Sequence, residues 1–530
     1  MNDIFFAKKH MKPSFLTVYI SLILLSLCIP SQGFAQTAYE KNSEKNVKKA
    51  LEDYISRISE NELSQAQISI LATDGNGNTI ISRNSNKLML PASNLKLVTT
   101  GLALHILGGD YKYETKIGYS GRIIDGTLEG DLYIIGSGDP TLASDDSIAV
   151  RTDILFGNWK NIIESAGIKS INGYIIGDGR VFQSMPEIAS WQYDDTGTYY
   201  GTGTCGLSFH ENIQTFHAAA GAITGDIVHI TEGYPHCPWM KYTYSCTTGK
   251  AGTGDKLYYY ATDLAPKGEI RGTFAIDRTA KKLEFSNKFP AYTCAWHFSE
   301  YLTKQGIKCL KGAADTKIFS PARQSETEIS ATHIPALVCQ DSLTIIGSTA
   351  SPSLKRIAFE TNHESNNLYA ETLYLTIGKE SSGKGDIDSS ALAAQKALKA
   401  MGVETSKMRI KDGSGLSRQN YVSAEFLCSF LAAMTASPSY NDFLNSLPYP
   451  GAKGTMETVM TGYKTTAKNR IRLKSGSMTG VKCFSGYILH SEETSKPLVF
   501  SILINNCTLS QYSMQKLIDR MLFLLSESIL

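Results

Sequence analysis

A serine and a lysine three residues apart, Ser93 and Lys96, are the residues of this sequence that most directly suggest chemistry. They begin an apolar run with helical spacing, and a three-residue step places both side chains on one face of a helix. A serine hydroxyl is a weak nucleophile at neutral pH and needs an adjacent base. A lysine one turn away can be that base if its amine is kept uncharged. The pair therefore predicts nucleophilic catalysis, with Ser93 as the nucleophile and Lys96 as the general base.

The same spacing occurs three times in the chain, so the pair alone is weak evidence. Ser381 and Lys384 belong to a glycine-rich turn, and Ser513 and Lys516 belong to a polar helix face. Both contexts are typical of a solvated surface. For Ser93 the alternative is a helix cap beside a surface lysine. The other motifs of the chain must decide between the two interpretations.

The N-terminus has the composition of an export signal. Three lysines within the first 12 residues precede the mostly apolar run 15–29, which is too short to span a bilayer comfortably. Small residues at positions 33 and 35 match what a signal peptidase reads, which predicts cleavage after Ala35 and a periplasmic or otherwise exported protein. An uncleaved membrane anchor is the alternative. A lipid anchor on Cys28 is disfavoured by the bulky Leu27 before it.

Charge and length exclude some classes of function. Removing residues 1–35 takes away three lysines and one aspartate, so the formal net charge of +2 falls to 0 (2 − 3 + 1). A neutral chain offers no electrostatic attraction to nucleic acid or to an anionic membrane. With 530 residues the chain also exceeds one hydrophobic core, which predicts two or three domains.

Nine cysteines remain after the expected signal segment, an odd number at wide spacing that is not a disulfide framework. Cys237 and Cys246, across a tyrosine-rich loop, form the pair that we expect to be joined if any is; free thiols are the alternative. His236 suggests zinc, but no C-x-x-C or H-x-x-x-H spacing supports a metal site. The sequence therefore predicts no bound metal.

Periodicity at the two ends of the chain predicts two parts of one sheet. An N-terminal helix with two strands and three C-terminal strands with a closing helix would complete one antiparallel sheet covered by helices. The predicted strands are Gln67–Ala72, Thr79–Arg83, Arg470–Lys474, Lys482–His490 and Leu498–Ile504, and the closing helix is Ser510–Leu525. Further helices are predicted at Ser353–Phe359, Asn366–Ile377 and Ser390–Met401.

The middle of the chain has a different character. From about Tyr111, short β-rich segments alternate with glycine-rich turns, and Ile148–Ala166 is the one long amphipathic helix in the pattern. We therefore expect a β-rich insertion at residues 106–344, divided into two subdomains, within a discontinuous domain of residues 36–105 and 345–530. The predicted fold class is α+β.

Three short motifs occur in order along the chain: Ser93-Asn94-Leu95-Lys96, Ser365-Asn366-Asn367 at a helix start, and Lys474-Ser475-Gly476 at a strand end. This is the S-x-x-K, S-x-N and K-[ST]-G set of penicillin-recognising serine enzymes. The long gap of 269 positions between the first two motifs (365 − 96) narrows the family. The chain resembles the class C, low-molecular-mass penicillin-binding proteins, the D-alanyl-D-alanine carboxypeptidase/endopeptidases, in which two extra domains are inserted at this point.

The resemblance extends over nearly all of the chain that follows the signal segment. The segments 130–142, 199–212 and 412–420 are also similar to this family. One departure is serine at position 475, where the family more often has threonine. Because the hydroxyl is kept and a methyl group is lost, we expect little change in chemistry. The resemblance implies the penicillin-binding fold, with its antiparallel sheet flanked by helices.

The resemblance also implies a role for each reacting residue. Ser93 would attack the carbonyl of the penultimate D-alanine, and Lys96 would take its proton, kept neutral by burial and by the nearby cation of Lys474. Ser365 would relay a proton between the two lysines and the departing amine, with a helix cap as its alternative role. The backbone N–H groups of Ser93 and Ser477 would form the oxyanion hole.

Other residues of the motifs would bind the substrate. Asn367 would hold the substrate amide, with a helix-terminal cap as the alternative. Lys474 and Ser475 would bind the terminal carboxylate, and Gly476 would let the substrate backbone approach the strand.

A pocket for the diamino acid of the peptidoglycan stem peptide is likewise implied by the family. Asp195 would bind the free amino group, beside the aromatic ring of Tyr200; an ordinary turn aspartate is the alternative. Five more positions would line the same cleft: Ser414, Leu416, Arg418, Met478 and Thr479.

The activity implied is hydrolysis of D-alanyl-D-alanine ends and of D-alanyl cross-links in peptidoglycan, through an acyl-enzyme and without metal or cofactor. β-Lactams should inhibit by trapping that acyl-enzyme. A β-lactamase is one alternative, although those compact enzymes lack an insertion of this size. A non-catalytic peptidoglycan-binding protein with a vestigial site is the other.

Overall fold

The computed structural model describes residues 47–182, 187–316, 339–490 and 496–527. The expected signal segment, its cleavage point after Ala35 and Cys28 lie outside these residues. Within the described ranges, no helix combines the length and the apolar composition that a bilayer span requires.

The helices and strands are numbered in chain order. The helices are α1 (47–60), α2 (Leu95–Leu107), α3 (Thr152–Ser165), α4 (Pro290–Lys304), α5 (Leu354–His363), α6 (Asn367–Ser382), α7 (Ile387–Ala400), α8 (Ala424–Met434), α9 (Tyr440–Ser446) and α10 (Gln511–Glu527). The strands are β1 (Gln67–Thr73), β2 (Thr79–Arg83), β3 (Glu114–Tyr119), β4 (Arg122–Ile124), β5 (Thr127–Glu129), β6 (Leu132–Ile135), β7 (Ser170–Ile171), β8 (Ile175–Asp178), β9 (Ile213–Ala219), β10 (His229–Glu232), β11 (Lys241–Gly249), β12 (Asp255–Ala261), β13 (Lys267–Ala275), β14 (Lys281–Ser286), β15 (Lys308–Cys309), β16 (Ala313–Asp315), β17 (Thr344–Ala350), β18 (Met408–Arg409), β19 (Tyr421–Val422), β20 (Ile471–Met478), β21 (Val481–Ile488) and β22 (Leu498–Asn505).

Both ends of the chain contribute to one central sheet. Its five strands lie in the order β2-β1-β22-β21-β20, and every neighbouring pair is antiparallel. The N-terminal strand β1 pairs with the C-terminal strand β22, with Gln67 opposite Asn505 and Thr73 opposite Val499. The predicted antiparallel sheet, completed from the two chain ends, is therefore confirmed.

Helices cover both faces of this sheet. Along β22, Val499 and Leu503 pack into a core with α2 and α5–α9, whereas Phe500 and Ile502 pack with α1 and α10 on the opposite face. This alternation follows from the two-residue repeat of a strand. Burial of each such side chain contributes about 1.5–3 kcal/mol. The two helical layers therefore fix the sheet and hold α2 in the interior of one of them.

A β-rich region interrupts this domain between α2 and α5. It begins with β3 and ends with β17, which pair antiparallel with Glu114 opposite Ala350, so the chain enters and leaves through neighbouring strands. One hydrophobic core of the region includes Trp159 and Phe298, and a second includes Phe216. The predicted insertion is confirmed as a feature of the fold; the residue limits given for it and for the surrounding domain stay predictions.

The inserted region contains a long helix, α4, that periodicity does not predict. Its sequence, PAYTCAWHFSEYLTK, is rich in aromatic and β-branched residues, whose intrinsic helix propensity is weak. Tertiary packing of Cys294, Ala295 and Phe298 into the first inserted core stabilises the helix instead. The sequence predicts one long helix in the inserted region, which is α3, and the structure has a second one, α4.

All nine cysteines within the described ranges are free thiols. The expected pairing of Cys237 with Cys246 is therefore wrong, and free thiols, the alternative, are what the structure has. The reason is positional: Cys237 is buried in the core that includes Trp159, and Cys246 is buried in the core that includes Phe216.

Candidate active site

A short 3₁₀ turn, Ala92–Asn94, presents Ser93 at the N-terminal end of α2. The first ten residues of α2 are all buried, which fixes the start of the helix. Gly415 packs directly against the turn, because a Cβ atom at this glycine would lie 1.9 Å from the carbonyl oxygen of Ala92. Ser93 itself is half-buried and faces a cleft. The predicted nucleophile thus lies on a turn that is held between the buried start of α2 and Gly415.

The amine of Lys96 lies beside the hydroxyl of Ser93, as their spacing predicts. Lys96 Nζ is 2.9 Å from Ser93 Oγ, 2.6 Å from Asn367 Oδ1 and 2.9 Å from the carbonyl oxygen of Ser414. The lysine side chain is fully buried. Three acceptors therefore hold the amine in one place, with one of them being the proposed nucleophile.

Burial lowers the pKa of Lys96 from 10.5 to about 7, because desolvation penalises the ammonium form. The carboxylates of Glu371 and Asp412 oppose this change. The expected contribution from a Lys474 cation is not found. Instead it is the pKa of Lys474 that falls, first through burial and then through the Lys96 and Lys482 cations. A substantial fraction of Lys96 is therefore uncharged at neutral pH, as a general base requires.

The S-x-N motif lies at the start of α6. Ser365 has a φ of 60°, in the left-handed region that residues other than glycine rarely adopt. Its Oγ accepts a hydrogen bond from Lys474 Nζ at 3.0 Å. Asn367 accepts from Lys96 through Oδ1, and its Nδ2 donates to the carbonyl oxygen of Tyr200 at 2.8 Å. Each of the two lysines is thus joined to one residue of this motif.

The cap of α6 is Asn366, and not Ser365 or Asn367 as the alternative interpretations have it. Its side chain accepts a hydrogen bond from the backbone N–H of Tyr369 at 3.1 Å. Because Asn366 caps the helix, the flanking side chains are available to the two lysines. Both ends of the Asn367 amide are occupied by the chain, so in this arrangement Asn367 orients Lys96.

Lys474, Ser475 and Gly476 lie in the middle of β20, which continues to Met478. The prediction that they end a strand is wrong, because the hairpin pairing with β21 extends to Met478 opposite Val481. Lys474 is fully buried, and besides its bond to Ser365 its Nζ donates to the carbonyl oxygen of Ser475 at 2.9 Å.

Gly476 is the point at which β20 meets the serine turn. A Cβ atom on Gly476 would lie 2.5 Å from the carbonyl oxygen of Pro91 and 2.9 Å from the backbone nitrogen of Ser93. Real Cβ atoms do not approach backbone this closely, so the contact requires glycine. The sheet edge and the helix start are therefore brought together, which the oxyanion-hole hypothesis requires.

Two buried carboxylates near Lys96 are missed by the sequence analysis. Glu371 accepts hydrogen bonds from the backbone N–H groups of Gly413 and Ser414, both at 2.8 Å, and the carbonyl oxygen of Ser414 accepts from Lys96. Burial, followed by the neighbouring Asp412 carboxylate, raises the pKa of Glu371 well above its usual value. Glu371 therefore fixes the backbone segment that holds the amine of Lys96.

A signal for both carboxylates exists in the sequence. Glu371 follows Asn367 by four residues, one helical turn, and so shares its face. Asp412 opens the segment 412–420, which resembles the family. It accepts from the backbone N–H of Gly415 at 2.8 Å and so fixes the loop behind the serine turn.

The cleft in front of Ser93 has a volume of about 910 Å³. Its lining includes these predicted residues: Ser93, Ser365, Asn367, Ser475, Ser477, Asp195, Tyr200, Leu416, Arg418, Met478 and Thr479. Lys96, Lys474 and Ser414 lie fully buried and in contact with that lining. The structure therefore brings together residues from five separate parts of the chain.

Asp195 lies in this cleft with its carboxylate partly shielded from water. The phenol of Tyr200 donates to Asp195 Oδ1 at 3.1 Å. Desolvation raises the pKa of Asp195, while the Tyr200 hydrogen bond and the Arg418 cation oppose the change. Arg418 Nε in turn donates to Gln192 Oε1 at 2.8 Å. The inserted region and the loop at residue 418 thus contribute opposite charges to one pocket.

The inserted region also contacts the S-x-N motif through Glu211, another residue that the sequence analysis misses. Asn366 Nδ2 and Ser144 Oγ each donate to the Glu211 carboxylate at 2.7 Å. Glu211 has a φ of 52°, so its backbone is also in the left-handed region. In the sequence, Glu211 is indicated only by its position within the segment 199–212, which resembles the family.

Residues 47–527 match the model of the D-Ala-D-Ala carboxypeptidase 3 (S13) family. The chain belongs to this family. The match covers more than nine-tenths of the 530 residues and includes all three motifs. The resemblance to the D-alanyl-D-alanine carboxypeptidases of the penicillin-binding proteins is thereby confirmed.

Individual relatives of this S13-family chain are also described as carboxypeptidases. A D-alanyl-D-alanine carboxypeptidase of Actinomadura sp. (strain R39) is 26% identical over 505 residues, covering 92% of this chain and 86% of the relative. A penicillin-sensitive carboxypeptidase A of Dictyostelium discoideum is 25% identical, covering 92% and 93%. The crystal structure of penicillin-binding protein 4 from Haemophilus influenzae superposes with a TM-score of 0.72 at 21% identity, covering 89% of this chain and 97% of that one. This last similarity shows the shared fold.

Proposed function

We propose that this S13-family chain is an exported serine peptidase that forms an acyl-enzyme on Ser93. The observation that carries the proposal is the 2.9 Å contact between Ser93 Oγ and the buried amine of Lys96, whose pKa is lowered to about 7. An uncharged amine at that distance can accept the hydroxyl proton while Oγ attacks the carbonyl carbon of the penultimate D-alanine. The tetrahedral intermediate then collapses with loss of the terminal amine.

Ser365 is suited to protonate that leaving amine. Its hydroxyl accepts from Lys474 at 3.0 Å and lines the cleft, so a proton can pass from Lys474 through Ser365 to the nitrogen. The proton that Lys96 took from Ser93 then replaces the one that Lys474 gave away, so Lys96 is uncharged again and Lys474 is recharged. Water attacks the ester of Ser93 with Lys96 as base a second time, and that proton returns to Ser93 Oγ as the acid is released. The close approach of Gly476 to Ser93 supports an oxyanion hole built from the backbone N–H groups of Ser93 and Ser477.

Terminal carboxylate recognition is assigned to Lys474 and Ser475, and the diamino acid pocket to Asp195 and Tyr200 with Leu416 and Arg418. Met478 and Thr479 line the same cleft. We further propose that D-alanyl cross-links enter this cleft, which would add endopeptidase activity. β-Lactams would acylate Ser93 and remain attached, because the opened ring cannot diffuse away.

Product analysis tests the proposal directly. Purified protein is incubated with an acyl-D-alanyl-D-alanine peptide and with a cross-linked dimeric muropeptide, and the products are resolved by mass. We expect free D-alanine from the first and two monomeric muropeptides from the second. Binding of either compound without turnover would support the non-catalytic alternative, and rapid turnover of penicillin without peptide cleavage would support a β-lactamase.

The rate of acylation should rise with pH and reach half its plateau near pH 7, because the uncharged form of Lys96 is the base and its pKa is about 7. The ionised fraction of Lys96 falls as pH rises through that value, so the rate is low at acidic pH and rises through neutral pH. Initial rates of labelling by a fluorescent penicillin between about pH 5 and pH 9 measure this. A midpoint near the ordinary lysine value of about 10.4 would contradict the assignment.

Asp195→Ala should reduce kcat/KM about tenfold, the equivalent of roughly 1.4 kcal/mol, on peptides with a free side-chain amine. Simple acyl-D-alanyl-D-alanine peptides should be little affected, because they present no amine to Asp195. Asp194→Ala is the matched control, since Asp194 is the adjacent aspartate, lines the same cleft and is more exposed. Equal losses on both kinds of peptide would remove Asp195 from the pocket.

A further inference from the structure

The inserted region contains a second cavity, of about 950 Å³, which we call the aromatic cavity. It lies between the beginning of α3, the second half of α4 and the loop that carries Tyr234. The motif residues and the residues assigned to the diamino acid pocket are absent from its lining. The proposed chemistry leaves this cavity without a role.

Its wall is formed by aromatic rings packed edge to face. Tyr234 lies 5.3 Å from the ring of His297, and Trp296 lies 4.9 Å from the same ring at 84°. Tyr301 adds a fourth ring to the lining. Tyr234 is 39% exposed, so part of its ring remains open to a ligand. Burial lowers the pKa of His297 to about 4, so its imidazole is neutral and the wall is uncharged at neutral pH.

The rim of the aromatic cavity is polar. The carboxylates of Asp145, Asp153 and Glu300 lie around it, with Lys304 and Arg151 among them. A sugar ring has apolar faces, against which aromatic rings can stack. Its edge carries hydroxyl and amide groups, which can donate hydrogen bonds to the carboxylates of the rim. The acidic groups disfavour a polyanion at the same place.

The aromatic cavity adjoins the catalytic cleft. Asp145 and Asp146 line both. Asp146 is fixed at this boundary by the phenol of Tyr369, on the helix of the S-x-N motif, at 2.5 Å. The ring of His210, in the cleft, lies 4.9 Å from the ring of Tyr234, in the aromatic cavity. The aromatic cavity is therefore the neighbouring cavity on the side of the cleft where these aspartates lie.

We propose that the aromatic cavity binds the N-acetylated amino sugar to which a stem peptide is attached, while the D-alanyl end of the same peptide lies at Ser93. This inference rests on the proposed function, because the ligand is the saccharide end of the same substrate. An extended peptide spans about 3.3–3.6 Å per residue, so four residues reach roughly 14 Å. The proposal requires the peptide to pass Asp145 and Asp146, the residues that line both cavities.

The experiment compares two substrates that differ in the sugar alone: a disaccharide pentapeptide and the free pentapeptide. The wild-type chain should turn over the disaccharide pentapeptide with a lower KM. Tyr234→Ala should raise that KM about fivefold and leave the KM for the free pentapeptide unchanged. Glu300→Gln, an exposed rim substitution that does not threaten the fold, should act in the same direction. Tyr258→Ala is the matched control, since Tyr258 is an exposed tyrosine of the inserted region outside this cavity.

The readouts separate this inference from the proposed function. Equal KM values of the wild-type chain for the two substrates, or equal losses on both in the cavity variants, would overturn the sugar site while leaving the peptidase intact. If neither substrate is cleaved, the proposed function fails, and the sugar site is then judged by binding. Titration of the free disaccharide should change the fluorescence of Trp296 in the wild-type chain and not in Tyr234→Ala; absence of a change in both would refute it.

Discussion

Replacing Ser93 by alanine should abolish covalent labelling by a fluorescent penicillin, with a loss of at least about a thousandfold in rate. Lys96 has no other hydroxyl among the acceptors described for it, which are Ser93 Oγ, Asn367 Oδ1 and the carbonyl oxygen of Ser414. Neither an amide oxygen nor a backbone carbonyl can replace the missing nucleophile. Gel fluorescence and the intact mass of the protein after incubation with penicillin measure the result.

The fold of the Ser93→Ala variant should survive, because Ser93 is half-buried and Lys96 keeps two of its three acceptors. We expect the free energy of unfolding to change by no more than about 1 kcal/mol. Ser381→Ala is the matched control: it alters an exposed serine that has a lysine three residues later, and labelling should be unchanged. Persistent labelling of the Ser93 variant at a defined residue would transfer the nucleophile to that residue.

Glu371→Gln should both destabilise the chain and slow acylation. The carboxylate accepts two backbone hydrogen bonds at 2.8 Å, whereas a glutamine offers one acceptor and turns an NH₂ group toward the other donor. Leaving a buried donor unsatisfied costs about 1–3 kcal/mol. Because Ser414 also orients Lys96, we expect acylation to slow by about tenfold or more, equivalent to roughly 1.4 kcal/mol. Chemical denaturation and labelling rates measure the two effects.

The pH profile separates an electrostatic role of Glu371 from a purely structural one. The ionised fraction of Glu371 raises the pKa of Lys96, but burial raises the pKa of Glu371 itself to about 8, so only part of it is charged near neutral pH. Glutamine removes that partial charge, so the rise in acylation rate should shift slightly below pH 7. Loop disorder alone would reduce the plateau and leave the midpoint in place, which would mean that Glu371 carries no charge beside Lys96. Glu380→Gln, at an exposed position on the same helix α6, should change neither quantity.

The sequence predicts best what depends on neighbouring residues. The Ser93–Lys96 contact follows from a three-residue step on one helix, and the strands at the chain ends follow from short apolar runs, which in β21 and β22 are buried along their whole length. Their union in one sheet is a hypothesis of the sequence analysis, and the pairing of β1 with β22 confirms it. The assembly of the three motifs in one cleft could be expected through the resemblance to the family, and not from the residues alone.

What the sequence does not predict depends on distant packing. The bond from Glu371 to the backbone at Gly413 joins a helix to a loop 42 residues away (413 − 371), which no local pattern encodes. The β20–β21 pairing carries Lys474 into mid-strand, although the glycine after it suggests an end. Helix α4 has poor intrinsic propensity and forms because a core covers it. Asn366 takes the cap that Ser365 could have taken.

The central sheet has a consequence for when activity can arise. Ser93 is synthesised early, but β20, which packs against its turn, begins 378 residues later (471 − 93). Contacts across so long a separation form slowly, because the closure of the intervening chain precedes any gain from packing. The proposed site at Ser93 therefore stays unassembled until β20 has been made and has docked. Reactivity toward penicillin would then appear late in folding and would indicate that the two ends of the chain have assembled. A chain truncated before residue 471 would not react with penicillin, even if its inserted region had folded.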